Sequence, residues 1–118
     1  LKAKVLDMSE KNDILGLCVC MALCDHKLNK DETAEILKIA KELKTDFNVH
    51  NCTDEIEKKF SGNVDLAQDF YLGIIPDKRK IEAKELIKRV AIADGALEDK
   101  ETRFLVRMKH AWGYEYFD

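Results

Sequence analysis

Two stretches of the chain spell nearly the same pattern 69 residues apart. The first runs from Ala22 to Thr33 and the second from Ala91 to Thr102. Laid over each other without a gap, Ala22 matches Ala91, Asp25 matches Asp94, Leu28 matches Leu97, Glu32 matches Glu101 and Thr33 matches Thr102, with Leu17 matching Leu86 upstream. Each copy carries an Asp, a Leu three residues later and a Glu seven residues after the Asp. The same local pattern read twice predicts the same supersecondary unit built twice, here a pair of pseudo-symmetric helical hairpins.

The rest of the chain agrees with a helical reading. Proline occurs once, at Pro76, glycine five times, and apolar residues recur at helical rather than alternating spacing. The expectation is an all-α fold of about six to eight helices in a single domain spanning residues 1–118. A first helix is expected from Glu10 to Cys24, capped by Ser9, with Ile14, Leu17, Cys18 and Met21 as its buried stripe. A second, about Lys30 to Lys44, would bury Thr33, Ile36, Leu37, Ala40 and Leu43. After a polar loop from Thr45 to Asn51, a short third helix would start near Thr53 and end at Gly62-Asn63, anchored by Ile56 and Phe60. A fourth covers Val64 to Leu72, ending at Gly73 and Pro76. The fifth starts after Asp77 and runs to about Ala93, with Ala83, Leu86, Ile87, Val90 and Ala91 inward, and Gly95 turns the chain. The sixth, Asp99 to Trp112, would bury Phe104, Leu105, Met108 and Trp112 before Gly113 ends it.

Bulk properties narrow the function. A net charge of −3 with 36% charged residues is a near balance, which argues against nonspecific nucleic-acid binding. No apolar run is long enough to cross a bilayer, and no signal peptide is visible. Cys18, Cys20 and Cys24 lie in an apolar helical stretch without a second ligand pair, and with Cys52 they read as reduced core thiols rather than a zinc site. His26, His50 and His110 have no spacing that suggests a shared site and read as surface or turn residues. Lys78-Arg79-Lys80 is followed by Glu82 and Glu85 and reads as a solvated face.

The chemistry concentrates in the repeat. In each copy the Asp ends one helix and the Glu falls in the first turn of the next, so both carboxylates sit at one end of a hairpin. If the hairpins pack about a pseudo-two-fold axis, Asp25, Glu32, Asp94 and Glu101 face a shared site. Four oxygen donors of this kind suit a hard divalent cation, Ca²⁺, Mg²⁺ or Mn²⁺, and Asn29 and Glu98 lie at the matching turn position. The competing account is local: Asn29 and Glu32 form a capping box, and the aspartates hold their turns through backbone amides. An EF-hand is excluded, because the twelfth positions counted from Asp25 and Asp94 are Ile36 and Leu105 and the sixth-position glycine is missing. No phosphate loop or nucleophile elbow is present, and a metallohydrolase would need a general base that the sequence does not supply beside these carboxylates.

The segments Ala91-x-Ala93-Asp94-Gly95-x-Leu97-x-x-x-Glu101 and Ala22-x-Cys24-Asp25-His26-x-Leu28-x-x-x-Glu32 resemble the motifs of the TerB-like family, named for a bacterial tellurite-resistance protein. The second copy fits the family's Ala-Asp-Gly turn; the first departs from it at Cys24 and His26. The resemblance covers most of the chain. It implies an all-helical domain with a metal centre at Asp25, Glu32, Asp94 and Glu101, and a non-enzymatic role in tellurite or other chemical stress. It further implies a cytoplasmic domain, with membrane association as the alternative, acting through protein partners at or near the inner membrane face. The alternative function is a protein-interaction module without metal, as in TerB-like domains joined to co-chaperones.

Overall fold

Residues Ile14 to Leu23 form an unbroken run of ten buried positions. A helix that is apolar all round belongs at the centre of a bundle, and the computed structural model places it there. The structure describes residues 2–23, 30–93, 95 and 99–113, with side chains described from residue 9 and, in the last helix, from residue 101. Six helices follow one another: α1 Lys2–Ala22, α2 Lys30–Glu42, α3 Val49–Phe60, α4 Val64–Ile74, α5 Asp77–Ala91 and α6 Asp99–Trp112. There is no strand among the described residues. The central helix α1 packs against all the others.

Several boundaries differ from the sequence reading, each for a local reason. Helix α1 begins at Lys2, so Ser9 is an interior residue and not its cap. Residues 2–8 contain no glycine or proline to stop the helix, and serine is tolerated inside one at a modest cost. The one-sided stripe expected for α1 is replaced by burial on every face after Ile14. Helix α2 stops at Glu42, where Lys44 turns left-handed at φ 56°. Its inward face is Glu32, Ile36, Ile39 and Ala40; Leu37, expected inside, is 46% exposed.

Helix α3 starts four residues earlier than Thr53. Asn48 caps it by accepting the Asn51 amide at 3.0 Å, and Val49 is buried against the core. The Thr53 hydroxyl instead donates back to the Val49 carbonyl. Ser61 and Gly62, both at positive φ, end α3, and Asn63 caps α4 by accepting the Leu66 amide at 3.1 Å. Gly73 lies within α4, not beyond its end. The ends of α5 and α6 match expectation more closely: Gly95 has φ 91°, and Gly113, at φ 97°, donates to the Lys109 carbonyl.

Side-chain bridges fix the direction of each helix against α1. Lys11 donates to the Leu43 carbonyl and the Thr45 hydroxyl bonds Asn12, so the end of α2 lies beside the first half of α1 and the two run antiparallel. Gln68 donates to the Cys20 carbonyl at 3.2 Å while Tyr71 lies against Gly16, which makes α4 antiparallel too. Arg79 bonds Glu10 at 3.2 Å, and ten residues on Arg89 bonds Glu35 in the first half of α2, so α5 runs parallel to α1. Arg107 bonds Gln68 at 2.7 Å and the Trp112 indole donates to the Leu72 carbonyl at 2.9 Å, so α6 runs parallel to α4. The ends of α1 and α5 and the beginnings of α2 and α6 therefore share one end of the bundle.

Candidate metal centre

The two copies of the sequence pattern fold with matching boundaries. Helix α1 ends at Ala22 and α5 at Ala91; α2 begins at Lys30 and α6 at Asp99, each pair again 69 residues apart. Ile14 and Ala83, Cys18 and Ile87, Met21 and Val90, and Ile39 and Met108 are equivalent positions, and all are fully buried.

Glu32 is the third residue of α2 and Glu101 the third residue of α6. Each is 1% exposed. Glu32 stands four residues before Ile36 and seven before Ile39; Glu101 stands three before Phe104 and seven before Met108. Each glutamate thus continues the apolar stripe of its helix at a place where packing alone would select leucine. A carboxylate taken out of water costs several kcal/mol, on the order of the whole stability of a small domain, unless other groups compensate it. The positive end of each helix dipole supplies part of that compensation. Both side chains are engaged in the structure, and one oxygen of each, Oε2, accepts no hydrogen bond among the described residues.

The structure thus brings Glu32 and Glu101 to the same end of the bundle, buried in equivalent places. Asp25 and Asp94, together with His26, Asn29 and Glu98, lie outside the described residues. Among the described residues no three His, Cys, Asp or Glu side chains stand close enough to hold one ion. Carboxylate oxygens such as those of Glu32 and Glu101 are donors of the kind a hard cation takes. Two buried carboxylates, Glu32 and Glu101, lie at this end, and burial pushes the Cys18 thiol up to about 12.

The remaining candidates resolve as follows. Cys18, Cys20 and Cys52 are buried free thiols, in keeping with core packing; Cys24 is outside the described residues. His50 and His110 are exposed on α3 and α6. The basic run at the start of α5 is not a simple solvated face. Lys78 is exposed, but Arg79 is largely buried between Glu10 of α1 and Glu82, and Lys80 lies over the Trp112 ring while pairing with Asp77.

The described residues form an all-α bundle with one buried glutamate per motif copy at one end. Residues 11–115 match the family model described as Tellurite resistance protein TerB, and the chain belongs to that family. It is a family of non-catalytic domains. No curated protein and no solved structure matches the chain. No helix of the described residues is long and apolar enough to cross a membrane.

Proposed function

We propose that this chain is a non-enzymatic scaffold or sensor domain of bacterial tellurite resistance or chemical stress, which binds a divalent cation through Glu32 and Glu101 together with Asp25 and Asp94. The observation that carries the reading is the burial of two equivalent glutamates, one per motif copy, at the same end of the bundle. When bound, the cation supplies positive charge that offsets the desolvation of these carboxylates. The residues themselves do the positioning. Glu32 and Glu101 sit in the first turns of α2 and α6, the following apolar residues hold those turns to the core, and the aspartates precede each glutamate by seven residues in the sequence. Because the donors come from both halves of the chain, loading ties α2 to α6 and sets the shape of this end for a protein partner.

The test is titration calorimetry of chelator-stripped protein with Ca²⁺, Mg²⁺ and Mn²⁺, beside Glu32→Gln and Glu101→Gln. Saturable binding to the wild type that weakens in both variants supports the reading. The absence of saturable binding with every ion, or equal binding by the variants, contradicts it.

One feature favours the alternative of a metal-free interaction module. Leu66, Phe70 and Ile74 recur four residues apart on α4 and are 53%, 44% and 39% exposed, an apolar stripe of the kind that meets another protein. Under that reading divalent ions leave the protein unchanged while substitutions along this stripe abolish partner capture.

A further inference from the structure

Helix α2, which carries Glu32, is tied to its neighbours in two places. After its end, Lys11 of α1 donates to the Leu43 carbonyl. The other tie runs across to α5 through one side chain, Arg89. Its guanidinium donates through Nε and Nη2 to Oε2 of Glu35, at 3.1 and 2.6 Å. Through Nη1 and Nη2 it donates to the two carboxylate oxygens of Glu42, at 2.9 and 2.8 Å. Isolated surface ion pairs contribute little, but one planar fork gripping two carboxylates on the same helix fixes an angle as well as a distance. The apolar contacts of Ile36, Ile39 and Ala40 bury area without fixing a direction.

The fork lies beside the acidic motifs. Glu35 follows Glu32 by three residues, about 4.5 Å along the helix axis. Arg89 stands in the last turn of α5, and Asp94 follows it by five residues. The fork therefore joins the first motif copy to the second at the end of the bundle where Glu32 and Glu101 are buried. The pseudo-symmetry shows that a helical hairpin does not itself demand such a tie. In the other half, 69 residues away, the equivalents of Arg89, Glu35 and Glu42 are Cys20, Phe104 and Ala111. Cys20 and Phe104 are buried in the core. Where one half buries apolar side chains, the other places an oriented polar tie.

We propose that Arg89 is a positioning residue of the cation site: by clamping Glu35 and Glu42 it fixes the start of α2 against the end of α5, and so sets Glu32 relative to the donors of the second copy. This rests on the cation reading of the acidic motifs. Arg89 acts through the placement of α2 and not by contact with the ion.

The test compares Arg89→Leu, Arg89→Lys and Arg79→Leu with the wild type. Arg79 is the control, because it makes a similar tie, from α5 to Glu10 of α1, ten residues earlier on the same helix. Two quantities are read. One is the Kd for Ca²⁺, Mg²⁺ and Mn²⁺ by titration calorimetry. The other is amide hydrogen exchange over residues 34–37 in chelator-stripped protein, which needs no ion and reports the start of α2 directly. The proposal expects Arg89→Leu to weaken ion binding about tenfold and to speed this exchange, with Arg89→Lys between it and the wild type. Arg79→Leu should lower the melting temperature and change neither quantity. The proposal is overturned if the wild type and Arg89→Leu bind ions alike, or if exchange over residues 34–37 is unchanged. It is also overturned if Arg79→Leu weakens binding as much, which would mark a general loosening of the bundle. Failure of the cation reading is told apart by the wild type, which would then bind no ion and take this proposal with it.

Discussion

The ring of Tyr71 lies directly on the backbone of α1 at Gly16: a Cβ placed on Gly16 would fall 2.6 Å from Tyr71 Cε1 and 2.7 Å from Cζ. Here α4 crosses the central helix, and glycine in a helix interior, normally a disadvantage of about 1 kcal/mol, makes room for the aromatic ring. Gly16→Ala is therefore expected to lower stability by about 1–3 kcal/mol from overpacking, in spite of the gain in helix propensity. In a Tyr71→Ala background the same change should become neutral or stabilising. A double-mutant cycle by urea unfolding checks this, and a destabilisation that persists without the ring would contradict it.

Helix α6 is pinned at its end by the bond from the Trp112 indole to the Leu72 carbonyl, which is buried on both sides. Trp112→Phe keeps most of the apolar surface but removes the donor. The expected loss is about 1–3 kcal/mol, the cost of leaving a buried carbonyl unsatisfied. Thermal melting reads it, and an unchanged midpoint would show that the bond contributes nothing net.

Asp13 gives a pH dependence with a definite sign. Its folded pKa is raised above the ordinary 3.8, by burial first and by Glu10 second. Its contribution to stability is thus fully present below about 3.8 and is lost as pH rises through the folded pKa. Asp13→Asn, uncharged throughout, should melt higher than the wild type at pH 7, and the difference should vanish below the unfolded pKa. Glu42 works in the opposite sense. The hydrogen bond from Arg89 lowers its pKa from 4.5, so its contribution is present above 4.5 and is lost as pH falls through the lowered value. Melting curves of Asp13→Asn and Glu42→Gln across pH 3–7 should diverge from the wild type in opposite directions at neutral pH.

Burial holds the Cys18 thiol at about 12 and the Cys52 thiol at about 11. Neither forms thiolate at ordinary pH in the folded state, and both are shielded. A thiol-specific reagent at pH 8 should modify them only at the rate of unfolding, with full reactivity in denaturant. Rapid modification of Cys18 or Cys52 in the native protein would overturn this.

Much of the architecture was legible in the chain. Six helices with Gly95 and Gly113 at turns follow from apolar periodicity and a near absence of breakers. The ends of α1 and α5 and the starts of α2 and α6 follow from the repeat. What was not legible has physical causes. Ser9 looked like a cap because its residue type suits one, yet nothing in Lys2 to Met8 stops a helix. Asn48, not Thr53, starts α3, because a cap one turn earlier allows Val49 to be buried. Leu37, expected inside, faces water, while the Glu32 carboxylate faces the core. The phase of the stripes held that clue, since Glu32 and Glu101 are spaced in register with the apolar residues after them.

The central claim is that the buried glutamates of the two motifs belong to a cation site. The most direct measurement is the melting temperature of chelator-stripped protein as Ca²⁺, Mg²⁺, Mn²⁺ and Zn²⁺ are titrated in turn, with Asp94→Asn and Glu101→Gln alongside. The account predicts a saturable rise with at least one hard divalent ion, about 2.7 kcal/mol of stabilisation at a hundredfold excess over Kd, which both variants lose. No shift with any ion, or the same shift in the wild type and both variants, would contradict it and leave the glutamates as capping groups.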